Sequence, residues 1–326
     1  MSRDGQTGSH GPRCSDVPPR PTGPAAPRPG GSMGSALTTV LLPLALAIVM
    51  LGLGLSLTVG DFARVARQPR AVLVALALQL LVLPALCFGL VLLFDLPPLL
   101  AVGMLLLAAS PGGTTANLFS HLFRGDVALN ISLTAVNSLI AVVTLPVVTN
   151  LAIGFFDPAD ADTLGLQFGK TVQVFAVVLV PVAIGMLVRR ARPAFAERMD
   201  KPVRILSAVV LAAVIVGTMV AERENVAGYL RDVGLPVLVF CLVSLTLGFL
   251  VPRALGVGER QAIASAFEIG VHNATLAIAV AVSVLGSVEL AVPSAVYGVV
   301  MFPVAAAFGW AITRTSGRDR SAVPAG

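Results

Sequence analysis

Residues 105–123 read LLLAASPGGTTANLFSHLF, and residues 264–282 read ASAFEIGVHNATLAIAVAV. Each is an apolar run of bilayer-spanning length, about 20 residues, with a polar patch at its middle. The first patch holds Pro111, Gly112, Gly113, Thr114, Thr115 and Asn117; the second holds Glu268, Gly270, His272, Asn273 and Thr275. Pro removes a backbone donor and clashes with the preceding helical turn. A Gly pair gives no resistance to unwinding. Backbone freed at membrane depth needs protein or a water-filled cavity around it. Interrupted helices at corresponding places in two halves of a chain point to the binding site of a secondary transporter.

The rest of the chain fits that frame. Of its 326 residues 56% are hydrophobic and 12% are charged, against about 25% charged in soluble domains. The mean hydropathy is +0.90. Apolar runs follow one another from Leu37 to Ile312 and leave no room for a large soluble domain. The pattern predicts an all-α membrane protein with nine spans, near 36–59, 70–94, 98–121, 126–155, 167–190, 204–222, 233–252, 259–286 and 291–313. Residues 1–34 are rich in Pro, Gly and Arg without apolar periodicity, which predicts a disordered tail and makes Met33 a candidate start. Residues 35–313 form the membrane domain and 314–326 a cytoplasmic tail.

Loop charges set the orientation. Arg64, Arg67 and Arg70 lie in the first loop, six Lys or Arg from Arg189 to Arg204 in the fifth, and Arg253 and Arg260 in the seventh. The C-terminal segment adds Arg314, Arg318 and Arg320, whereas Asp95, the Asp157–Asp162 stretch and Glu289 mark even-numbered loops. Basic loops face the cytoplasm. The expectation is a multi-pass cell-membrane protein with its N-terminus outside and its C-terminus inside; Arg3, Arg13, Arg20 and Arg28 in the tail run against it. The third and eighth spans are then antiparallel, and their offset of five spans makes the two halves inverted repeats.

The formal charge of +5 is topological, because no interleaved aromatic and basic pattern of a nucleic-acid binder is present. Cys14, Cys87 and Cys241 show no metal or disulfide spacing. No GxSxG, HExxH or paired aspartates occur in the spans, so an enzyme is not expected.

Glu268 stands out. A carboxylate at this depth costs several kcal/mol unless paired or solvated. No Lys or Arg lies in the interior of any span to pair with it, which leaves a cation or a proton, unless a longer seventh loop brings Glu268 near the surface. Gln79 stands alone in VLVALALQLLVLPAL (72–86). In ALNISLTAVNSLI (128–140), Asn130 and Thr134 are four apart and share a helix face, with Asn137 three further on. Amide, hydroxyl, carboxylate and backbone oxygens are the ligands that hard cations take. For Asn130 and Thr134, hydrogen bonding between helices is the competing reading. His272 has three open readings: ligand, proton carrier or hydrogen-bonded core residue.

At SPGGTTANLFSHLFRGDVALNISLTAV (110–136) and FEIGVHNATLAIAVAV (267–282) the sequence resembles the bile acid:sodium symporter family, over nearly everything from residue 36 to 313. The resemblance implies two inverted repeats forming a panel domain and a core domain with two crossing, interrupted helices, in a nine-helix version that lacks the first helix. It implies symport of an organic anion with Na+ by alternating access, in a monomer or weak homodimer in the lipid bilayer. It implies a first sodium site at Asn117, Asn130, Thr134 and Glu268. A second would use Gln79, Glu268, His272 and the carbonyls of Ile269 and Val271. A substrate cavity beside the crossing would involve Thr114, Thr115, Asn117 and Asn273. Two departures touch these sites. Ala116 and Asn130 stand where the family commonly has Ser, and His272 stands where it usually has Gln. Neutral imidazole is a poor ligand for sodium, which keeps proton coupling through Glu268 and His272 as an alternative, alongside a passive channel or sensor.

Overall fold

The computed structural model describes residues 67–158, 168–199 and 226–321, with scattered residues at 47–60 and 202–209. The tail 1–34 with Met33, most of the expected spans 36–59 and 204–222, the acidic pair Asp160 and Asp162, and residues 322–326 lie outside the described residues.

The described residues are helical throughout apart from turns and one isolated bridge. Helix α1 (Pro69–Ala77), a π-helical turn (Leu78–Val82) and α2 (Leu83–Leu93) make one apolar rod. Helices α3 (Pro98–Ala109) and α4 (Thr114–Leu122) follow, then the long α5 (Val127–Phe156). Beyond α6 (Phe168–Ala191) come α7 (Val226–Ala254), α8 (Glu259–Gly270), α9 (Ala274–Ser283) and α10 (Val292–Ser321), the last entered through a 3-10 turn at Glu289–Ala291. Among the described residues, four stretches are long and apolar enough to cross a membrane: Pro69–Leu93, Val127–Phe156, Arg231–Ala254 and Glu289–Arg314. Leu73, Leu81, Leu93, Leu151 and Val299 are among many exposed large side chains on them. Such an apolar exterior is foreign to a soluble monomer.

The third and eighth expected spans are each two short helices. The first break follows from sequence. Ser110 precedes a proline, which disfavours the helical region, and it is extended at φ −72°, ψ 142°. Gly113 continues extended at φ −88°, ψ 165°. The second break has no proline. Val271 leaves the helix at φ −121°, ψ 76°, and Asn273 starts α9, its side chain accepting from the Leu276 N–H at 3.0 Å.

The two breaks meet. Gly112 and His272 form an antiparallel bridge. The Gly113 N–H donates to the Val271 carbonyl at 2.9 Å, and the Asn273 N–H to the Pro111 carbonyl at 2.8 Å. Each interruption thus satisfies the backbone groups that the other leaves free, which a low-dielectric surrounding demands.

Helix α7 packs closely along α8, because Gly248 leaves space where a Cβ would lie 2.8 Å from the Ala266 Cα. Helix α5 runs along α8 on another side. Its start is fixed by Asp126, whose side chain accepts from the Leu129 N–H at 3.0 Å and whose own N–H donates to the Arg260 carbonyl at 2.8 Å. Gln68 donates to Asp126 at 3.2 Å and accepts from Gln261 at 3.1 Å, so α1, α5 and α8 are pinned at one end.

Helix boundaries differ most from expectation at α7, which begins at Val226 rather than 233, and at the last helix. It continues to Ser321, past the expected end of the span at 313. Arg314 lies 3.8 Å over the Trp310 ring, a cation–π contact that lets the first charged residue remain in the helix.

Candidate functional site: a buried carboxylate at the crossing of two broken helices

The pinning of α5 to α8 sets the register of the site. Asp126 meets Arg260, and eight residues beyond each, about 12 Å along a helix, Thr134 meets Glu268. The connection between α7 and α8 is only residues 255–258. Glu268 therefore sits inside, two turns along its helix, and is fully buried. A longer loop bringing it to the surface is excluded.

The carboxylate is held by donors from α5. Asn130 Nδ2 donates to Oε2 at 3.0 Å, and Asn137 Nδ2 to Oε1 at 3.0 Å. The Thr134 hydroxyl lies 2.5 Å from Oε2 and 3.0 Å from the Asn130 carbonyl, and its single proton goes to the nearer, charged acceptor. The backbone N–H of Gly112 also donates to the carboxylate. The four-and-three spacing on α5 is what puts Asn130, Thr134 and Asn137 on one face.

The same amides leave acceptors over. The Oδ1 atoms of Asn130, Asn137 and Asn117 are buried and have no donor. Buried acceptors in this state call for a partner. The amide oxygens of Asn130 and Asn137, the Thr134 hydroxyl and the carboxylate make a donor set of hard oxygens, which suits an alkali or alkaline-earth cation better than a transition metal. Among the described residues no three His, Cys, Asp or Glu side chains gather. The residues present thus fit a hard cation.

A second group lies across the crossing. Gln79 sits on the π-helical turn and is buried. Its Nε2 donates to the carbonyls of Ala108 (3.2 Å) and Ser110 (3.0 Å) at the end of α3. His272 Nδ1 lies 3.2 Å from the same Ser110 carbonyl. A carbonyl only accepts, so Nδ1 carries the proton and Nε2 is bare. Both Gln79 Oε1 and His272 Nε2 are buried without a partner. The ring stacks on Phe240 at 5.4 Å and 8°, and lies against Tyr297 at 5.4 Å and 58°. Tyr297 is itself tied to the Gly270 carbonyl at 2.8 Å.

Of the other expected site residues, Asn273 spends its Oδ1 on capping α9, Thr115 and Asn117 are half-buried on α4, and the Thr114 side chain lies outside the described residues. Ala116 is fully buried and supplies no side-chain oxygen. Sequence reasoning left Asn137 out of the ligand set, although it shares the face of Thr134; the spacing already on hand was the signal. It also missed Gly112, whose Cβ, if present, would strike the Glu268 carboxyl.

Comparison with known proteins adds an independent line. The model of the sodium bile acid symporter family matches residues 43–229, more than half of the chain. An uncharacterized sodium-dependent transporter of Bacillus subtilis is 32% identical over 78% of this chain and 77% of its own length. A probable sodium/metabolite cotransporter of rice chloroplasts is 31% identical over 83% of this chain, which spans 63% of that longer protein. The human ileal sodium/bile acid cotransporter is 28% identical over 74% of this chain and 69% of its own length. All three are named as transporters, none as an enzyme.

Proposed function

This chain belongs to the sodium bile acid symporter family and is a multi-pass membrane protein, and from that premise we propose that it carries an organic anion across the membrane with sodium, by alternating access. The observation that carries the reading is Glu268: a fully buried carboxylate ringed by donors from α5 and by amide oxygens that lack partners. The proposed ion ligands are Glu268, Asn117, Asn130, Thr134 and Asn137.

Helices α4 and α9 both begin at the crossing. The N-terminal ends of helices favour negative charge. Cation and anion thereby have adjacent homes: the ion against Glu268, the substrate anion beyond the starts of α4 and α9, near Thr114, Thr115, Asn117 and Asn273. Occupation by the cation offsets the carboxylate, so that the helix N-termini govern the field the anion meets. One domain then rocks against the other with the site as its pivot. The nine-span topology, with an external N-terminus and a cytoplasmic C-terminus, belongs to the same proposal.

Uptake into proteoliposomes is the test, with labelled taurocholate and small keto acids as probes and sodium or potassium outside. Uptake is expected only with sodium. Equal uptake in both salts would sink sodium coupling, and uptake that follows a pH gradient without sodium would replace it with proton coupling.

Asn137→Ala removes a donor from Oε1 and an acceptor from the proposed ion shell. The sodium concentration for half-maximal uptake is expected to rise about tenfold, the equivalent of about 1.4 kcal/mol. An unchanged sodium dependence would remove Asn137 from the shell.

A further inference from the structure

Gln79 and His272 converge on one carbonyl, that of Ser110. Ala108 and Ser110 end α3, and the last carbonyls of a helix form its negative pole. A cation beside the crossing would be drawn to that pole. Here the protein's own N–H groups cover it: Gln79 Nε2 on Ala108 and Ser110, and His272 Nδ1 on Ser110.

Part of the second expected ligand set is engaged elsewhere as well. The Val271 carbonyl accepts from the Gly113 N–H. The imidazole is fixed between Phe240 and Tyr297, two fully buried rings, and what it has left is a nitrogen lone pair. Hard cations such as sodium take oxygen in preference to imidazole nitrogen. Gln79 Oε1 is then the one uncommitted side-chain oxygen of the set, against two amide oxygens, of Asn130 and Asn137, on the side chains bonded to Glu268.

We propose that this chain binds a single sodium ion, at Glu268 with Asn117, Asn130, Thr134 and Asn137, and that the Gln79–Ser110–His272 clamp stands in place of a second ion. The inference rests on the sodium-coupled reading above. Its consequence is a change in coupling. One sodium carried with a monovalent anion moves no net charge, so transport of such an anion is indifferent to membrane potential, and the concentrating power comes from one sodium gradient rather than its square.

The experiment is equilibrium binding of 22Na+ to the purified full chain, with no organic substrate present. About one ion per chain is expected for the wild type and none for Glu268→Gln. His272→Gln replaces the bare nitrogen by an amide oxygen and is expected to bind about two; a residue that only held the fold together would not gain a site on substitution. Two ions on the wild type would overturn the inference and leave sodium coupling standing. One ion on His272→Gln would overturn the assignment to His272. No binding to a folded wild type would instead sink the sodium reading itself. The wild-type count decides the stoichiometry even if the variant does not fold.

Discussion

Replacing Glu268 by Gln is expected to lower the proposed sodium-driven uptake about a hundredfold or more, in a chain that still folds. The side chain keeps its size and place, but its environment is built for an acceptor. Asn130, Thr134, Asn137 and the Gly112 N–H all donate towards it. An amide must turn one NH2 group into that ring of donors, losing hydrogen bonds to a charged group worth about 1.5–3 kcal/mol each. It also removes the only negative charge among the buried described residues, and with it the main attraction for a cation. A loss of about 2.7 kcal/mol in ion binding is a hundredfold in affinity. The measurement is uptake against sodium concentration, with thermal unfolding in detergent as the check on folding. Sodium-dependent uptake that survives within a few-fold would remove Glu268 from the ion site.

Gly112→Ala is expected to lower uptake by a steric route. The added methyl would overlap the Glu268 carboxyl group and crowd the Glu268 backbone oxygen. Both belong to the crossing, where backbone and side chain are fixed by bonds from two directions. Overpacking a closed interior costs about 1–3 kcal/mol, and relief is available only by pushing the carboxylate off its α5 donors. Uptake is expected to fall at least tenfold, with a lower unfolding temperature. Gly89→Ala is the matched control: no atom lies within 4 Å of the added methyl, and losing a helical glycine is stabilising by about 0.5–1 kcal/mol. If the two substitutions behave alike, close approach at Gly112 is not what the site depends on.

How much of this could be read from the chain differs from residue to residue. The break at 110–113 was legible because Pro and paired Gly act through local sterics. The second break was legible only as a polar patch. Its cause, an Asn cap together with bonds to a segment some 160 residues earlier, is a long-range fact. Glu268 was legible because a lone carboxylate in an apolar run has so few explanations. Asn130 and Thr134 were legible by helical spacing, and Asn137 by the same rule applied one turn further. The π-helical turn that carries Gln79 has no signal in LQLLV, since Leu and Val sit as readily in an ordinary helix. The tautomer of His272 was equally hidden. It depends on the Ser110 carbonyl, a backbone atom whose direction is set only once the helix has broken.

The donors to Glu268 lie 131 to 138 positions before it in the chain. At elongation rates of about 5–20 residues per second, α5 is complete on the order of ten seconds before the carboxylate has been synthesised. During that interval Asn130 and Asn137 sit in a nascent helix without the group they were placed to meet, and polar side chains deprived of partners in lipid are costly. The bonds between α5 and Glu268 therefore close only after the second half has been made, and the cluster around the carboxylate is among the last parts of the molecule to be assembled. A ribosome stalled before residue 268 would leave a membrane intermediate with its helices inserted and its function still unwritten.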